Sequence, residues 1–271
     1  MSAHVAQAAP VAGAAPVPAR EPVALLSGAR AVATIAAREF GAYFDSSIAY
    51  VYTIGSCVLA NSIFMNEFFL AGTLDMRPYF ELMPLLLAFF LPAVTMRLWA
   101  EERRLRTIEL LLTLPIVPAQ AVLGKFLAAL ALFGTFVLGS APIALMLALL
   151  GEPDWGTIAA SYLGLALLAA LFLALGAFLS ALSGDQIVAF VIGTIACLLL
   201  VLSGEERVVA VLDGLFPRFA PGTFLYENAS VRPHYDAFVA GRVGLADALY
   251  FAGSSAVFLA LNALVLARNR G

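Results

Sequence analysis

Residues Glu101 to Arg106 read Glu-Glu-Arg-Arg-Leu-Arg, placing two carboxylates and three guanidiniums side by side. Further along, Gly124-Lys125 is a fragment of the pattern that holds phosphate. A phosphate loop needs a Gly five residues before its Gly-Lys pair and a Ser or Thr after the Lys, so that backbone N–H groups cradle the phosphates and a hydroxyl reaches Mg2+. Ala119 and Phe126 occupy those places. No cofactor is therefore expected in this chain, and any ATP and Mg2+ must be held by another. The histidines, His4 and His234, and the cysteines, Cys57 and Cys197, stand far apart. They make no metal-site or redox pattern, and the cysteines read as small buried hydrophobes.

The composition decides what surrounds these residues. Of 271 residues, 62% are hydrophobic and 12% charged, and the mean hydropathy is +0.96. A soluble domain carries about 25% charged residues, so lipid must replace water over most of this surface. The net charge of −3 gives nucleic acid no reason to bind. Glu101-Glu102-x-x-x-Arg106 is similar to a short motif of the prenyl-peptidase-like intramembrane proteases, but that likeness also implies histidines on other spans, and no span has one. Ion-coupled carriers place ionisable groups near the middle of their spans. No charge stands there in this chain, which weighs against a carrier; a membrane scaffold is the other alternative.

A bilayer core takes about 20 apolar residues as a helix. Such runs predict spans over 46–67, 79–100, 126–150, 156–181, 186–203 and 248–267, with Pro84 and Pro92 bending the second. The resulting expectation is an all-α membrane protein with six transmembrane helices. Residues 1–29 are Ala/Pro-rich, without a basic start or an unbroken apolar core. They read as a disordered cytoplasmic tail rather than a signal peptide, leaving 30–271 as the membrane domain. With the N-terminus inside, ten of the fifteen Lys and Arg residues fall on the inner side. The positive-inside rule then places both termini in the cytoplasm.

Three segments outside the spans carry further structure. Over Arg30–Asp45, Val32, Ala36, Phe40 and Tyr43 recur at helical spacing with Arg30, Thr34 and Arg38 opposite, which predicts an N-terminal amphipathic helix in the interface. Arg38, Glu39 and Phe40 are its candidate functional residues. Glu101–Lys125 predicts a cytosolic helix that opens on Glu101 and Glu102, carries Leu105, Ile108 and Leu112 on one face, and is stopped by Pro115 and Pro118. Glu205–Asp247 predicts short interfacial helices and loops on the outer side.

Leu91 to Arg104 (Leu-Pro-Ala-Val-Thr-Met-Arg-Leu-Trp-Ala-Glu-Glu-Arg-Arg), followed by Thr107-Ile108-Glu109-Leu110-Leu111-Leu112-Thr113-Leu114-Pro115, resembles the permease subunits of type-2 ABC exporters, most closely the gliding-motility subfamily. Ala37-Arg38-Glu39-Phe40, Gly124-Lys125-Phe126 and His234 to Phe238 support the likeness, which runs from about residue 30 to the end. Where that family commonly has Gly or another small residue, this chain has Arg106. The resemblance implies a permease of the bacterial inner membrane, exporting substrate or transmitting force. The implied partners are a cytosolic ATPase that binds ATP and Mg2+, a second permease copy or homologue, membrane lipids and an envelope auxiliary protein; the second copy is expected to meet the face of span one that carries Gly55, Ala60 and Ser62, where small residues let helices approach. It implies that Glu101–Thr113 couples to the ATPase, through Glu101, Glu102, Arg103, Arg104, Arg106, Thr107 and Glu109.

Overall fold

A computed structural model describes residues 28–45, 47–104, 117–216 and 219–268. Most of the Ala/Pro-rich tail lies outside the described residues, as do Arg106, Thr107 and Glu109. Ten helices are described: α1 Gly28–Phe44, α2 Ser47–Ala71, α3 Arg77–Arg104, α4 Pro118–Leu150, α5 Trp155–Leu182, α6 Gln186–Leu202, α7 Glu206–Leu215, α8 Pro221–Asn228, α9 Arg232–Val239 and α10 Leu245–Arg268. No strand occurs among the described residues.

The chain is an all-α membrane protein. Five helices, α2, α3, α4, α5 and α10, are long and apolar enough to cross a bilayer. The sixth, α6, has 17 residues and then turns through 90° into α7. At 1.5 Å per residue it reaches about 26 Å, near the lower limit for a crossing. The helices that contain the expected spans begin and end within a few residues of those apolar runs, with α4 as the exception. The crossings alternate in direction, so the bundle has two ends. The basal end gathers α1, the last turn of α3, the first turns of α4 and the end of α10. The distal end carries α7, α8 and α9.

Local chemistry sets where the helices start. Asp154 caps α5, its carboxylate accepting from the backbone N–H groups of Gly156 and Thr157 and from the Thr157 hydroxyl. Hydrogen bonding from Thr157 and Gly156 outweighs desolvation and holds that exposed carboxyl below its ordinary range. Asp185 caps α6 through the N–H groups of Ile187 and Val188. Such caps satisfy donors that a helix start leaves without partners. The core lies where α3 and α5 cross and is covered by α6 and α10. Leu87, Leu91, Phe136 and Phe172 are shut inside it.

Proline leaves one visible mark at the distal end. α3 runs as one helix through Pro84 and Pro92. Pro84 has no N–H to give the carbonyl of Phe80, four residues earlier. The buried Tyr235 hydroxyl of α9 donates to that carbonyl at 2.9 Å. The short helices expected over Glu205–Asp247 are present, and this bond ties one of them to the centre of the bundle.

Three expectations need correction. The helix of span three begins at Pro118, eight residues before the apolar run at 126. Pro118 sits in the first turn of α4, where its missing N–H costs nothing, and Val117 N–H donates to Gln120 Oε1. Glu101 to Arg104 do not open a separate helix; they are the last turn of α3. Finally, Gly55, Ala60 and Ser62 do not share a face of α2. Gly55 and Ser62 are exposed, whereas Ala60 is fully buried inside the subunit.

Candidate functional site: a charged junction of three helices

Among the described residues, the flagged charges Arg38, Glu39, Glu101 and Glu102 meet at the basal end. Acids at a helix C-terminus oppose its dipole, so Glu101 and Glu102 each need a cation. Arg97, one turn earlier, grips Glu101 with Nε to Oε2 at 2.9 Å and Nη2 to Oε1 at 3.1 Å. Lys125 Nζ stands 2.8 Å from Glu102 Oε1 and 3.2 Å from Glu39 Oε2. Arg38 Nη2 closes the series on Glu39 Oε1 at 2.8 Å. Charges thus alternate from Arg38 to Glu39, Lys125 and Glu102, and they bind α1, α4 and the end of α3 to one another.

Lys125 is the centre of this junction. Its side chain is 5% exposed, and it is the one charged residue among the described residues that is fully buried. Burying an ammonium is tolerable only when it is paired and hydrogen-bonded. Two carboxylates supply the pairing, and the Trp99 ring adds its face at 5.1 Å. Trp99 is itself held: its backbone N–H and that of Ala100 both donate to the Ser180 hydroxyl at 3.2 Å, and that hydroxyl donates to the Met96 carbonyl. The junction is therefore anchored to α5 through α3. Desolvation alone would raise the Glu39 carboxyl, but Lys125 and Arg38 outweigh it and hold the group below its ordinary value.

Gly124 explains how α1 comes so close. A Cβ at that position would stand 2.6 Å from Ile35 Cγ2 and 2.7 Å from Ile35 Cβ, both on α1. The Gly-Lys pair that resembles half a phosphate loop thus has a packing role: glycine admits α1, and lysine pins it there.

α1 has the face expected of it. Arg30, Thr34 and Arg38 are exposed, while Ala31, Val32, Ile35, Ala36, Phe40 and Tyr43 turn away from solvent. Phe40 also meets Phe44 edge-on, with ring centroids 5.1 Å apart. Glu39 lies on the inward face, so it serves α4 rather than the surface. Of the other flagged residues, Arg104 is exposed and Arg103 half-buried. Sequence reasoning missed Arg97 and Lys125 as site residues. Arg97 was legible as an i,i+4 partner of Glu101; Lys125 pairs over 86 residues with Glu39, which no local pattern reveals.

The junction has no nucleophile and no catalytic pairing among its described residues. What it can do is carry displacement: moving the end of α3 pulls on Lys125, and through it on α1 and α4. The model of a family described as ABC-2 family transporter protein matches residues 78–264. No curated protein matches the chain.

Proposed function

The chain belongs to the ABC-2 transporter family and is the permease subunit of an ABC transporter; from that premise we propose that the basal junction is where work done by the ATPase enters the membrane domain. The family implies association with an ATP-binding subunit. In this reading the ATPase docks on Glu101–Thr113, using the exposed Arg104 and the segment with Arg106, Thr107 and Glu109. ATP and Mg2+ stay in that partner. Closure of two ATPase copies displaces the end of α3, and the displacement spreads as a rigid-body movement of packed helices.

The observation that carries this proposal is Lys125 joining Glu39 and Glu102, because it leaves the end of α3 unable to move without α1 and α4. The basal end is then cytoplasmic, with both termini on that side, and the membrane is the bacterial inner membrane. Its excess of Lys and Arg supports that orientation. Within the family, the likeness of Leu91–Arg104 and Thr107–Pro115 supports the gliding-motility subfamily. A second permease copy completes the path, meeting this one on the exposed α2 face that carries Gly55 and Ser62, where small residues allow close approach. An envelope auxiliary protein at the distal end would receive either cargo or force.

The test is pull-down of the ATPase and stimulated hydrolysis in reconstituted membranes. Glu109 stands beside Leu110, Leu111 and Leu112, where a charge needs a partner. Glu109→Lys is expected to insert normally and to lose ATPase binding or coupling. Wild-type binding together with wild-type coupling would remove this segment from the mechanism.

A further inference from the structure

A cavity of about 190 Å³ opens between α1, α2, α3 and α4, beside the charged junction. Its lining changes along the helices. Arg97, Glu101 and Lys125 line it near the basal helix ends, and Glu39 lines it from α1. Ala93 and Val94 lie about one turn further into α3, and Leu132 about two turns further into α4. The cavity is thus charged where the helices leave the lipid and apolar where they enter it, the same gradient that a phospholipid has from headgroup to acyl chain.

Two further observations narrow the occupant. Among the described residues, the charged groups on the lining are two acids and two bases, so together they are neutral and offer both signs at short range. An anionic headgroup would have to compete with Glu39 and Glu101, and a simple cation with Arg97 and Lys125. Tyr43 also lines the cavity, and its buried hydroxyl has no hydrogen-bond partner among the described residues. A buried hydroxyl without a partner costs free energy, so a ligand that supplies an acceptor is favoured there. Burial, with Glu39 nearby, holds that phenol protonated well above its ordinary range, so it is available as a donor.

We propose that this cavity binds the headgroup of a zwitterionic phospholipid carrying a primary ammonium. The ammonium is taken by Glu39 and Glu101, the phosphate by Lys125 and Arg97 with the Tyr43 hydroxyl donating to it. The first part of an acyl chain runs past Val94 and Leu132. The proposal rests on the reading of α1 as a helix lying at the headgroup level. The bound lipid becomes the fourth element of the junction, filling the space between α1 and the spans.

Native mass spectrometry of the full purified chain tests this, with matched additions of phosphatidylethanolamine, phosphatidylcholine, phosphatidylglycerol and the soluble headgroup glycerophosphoethanolamine. No ATPase or nucleotide is present, so failure here leaves the coupling proposal standing, and failure of coupling leaves this one standing. Phosphatidylethanolamine is expected to be retained about tenfold better than phosphatidylcholine, whose quaternary nitrogen has no N–H to donate. Tyr43→Phe should lower its retention by about threefold to tenfold, and Ala93→Leu, which fills the apolar part, by at least as much, with far-UV circular dichroism unchanged. Equal retention of all three lipids, preference for phosphatidylglycerol, or binding of glycerophosphoethanolamine as strong as that of the lipid would each overturn the proposal. So would unchanged retention in Tyr43→Phe.

Discussion

The two ends of this bundle are held by different chemistry. At the basal end, α1 is joined to α3 and α4 by ion pairs centred on Lys125, and a glycine lets it approach. At the distal end, α9 is joined to the bundle by Tyr235 bonding the carbonyl that Pro84 leaves free, and by the buried ring of Phe238. His234 adds a 2.7 Å contact to Asp247 and stacks on Tyr250. A buried charge network fails abruptly when one member is lost, because the others remain charged and alone. Aromatic packing with single hydrogen bonds loses stability in smaller steps. By this chemistry the basal end is suited to switching and the distal end to holding still.

The strongest break of that contrast is Lys125→Met. It removes the cation that bridges Glu39 and Glu102, and removing one member of a buried pair costs about 3–5 kcal/mol. Thermal unfolding in detergent should show the loss, and ATPase coupling should disappear with it. Stability within about 1 kcal/mol of wild type would mean that the junction is solvated rather than structural. Next comes Tyr235→Phe, which orphans the Phe80 carbonyl at an expected cost of about 1–3 kcal/mol. The same melting experiment should show a smaller shift, with coupling retained. Loss of coupling without loss of stability would erase the functional distinction between the ends.

Acid sharpens the contrast through opposite signs. Glu39 titrates below its ordinary value of 4.5 in the folded chain. The stability it contributes is complete above 4.5 and is lost as pH falls through its folded value. Asp236, at the distal end, titrates above its ordinary 3.8, because desolvation, with Glu81 and Glu205 nearby, outweighs Arg232. The stability it contributes is complete below 3.8 and is lost as pH rises through its folded value. Melting curves between pH 3 and pH 7 should therefore lose an acid-sensitive component in Glu39→Gln and an alkaline-sensitive one in Asp236→Asn. Identical pH profiles in both variants and wild type would refute the assignment. The smallest effect expected is that of Arg38→Gln. Its side chain is 64% exposed, and an exposed pair contributes about 0–1 kcal/mol. A melting shift as large as that of Lys125→Met would show that the alternating charges act as one unit.

Long apolar stretches made most spans legible, because hydrophobic length is a local property. α5 and α6 begin at aspartates that cap them, so even their starts could be read. The start of α4 could not, because Pro118 and Lys125 resemble loop residues until α1 covers them. Glu101 and Glu102 looked like a helix start; their cations, one on the preceding turn and one on another helix, let α3 continue through them. The Gly55 and Ala60 pairing failed for a simpler reason: positions five apart on a helix point in different directions. Pro84 announced a freed carbonyl, but nothing nearby in sequence announced Tyr235, 155 residues away.

α4 has 33 residues, more than a bilayer requires. Its part from Pro118 to Pro142 is about 36 Å long. Acting as an oar across its lipid rowlock, that length converts a tilt of about 5° into a stroke of about 3 Å at one end relative to the other. Nothing need stretch or unfold for such a stroke, and Gly124, at the handle, is where α1 keeps its grip.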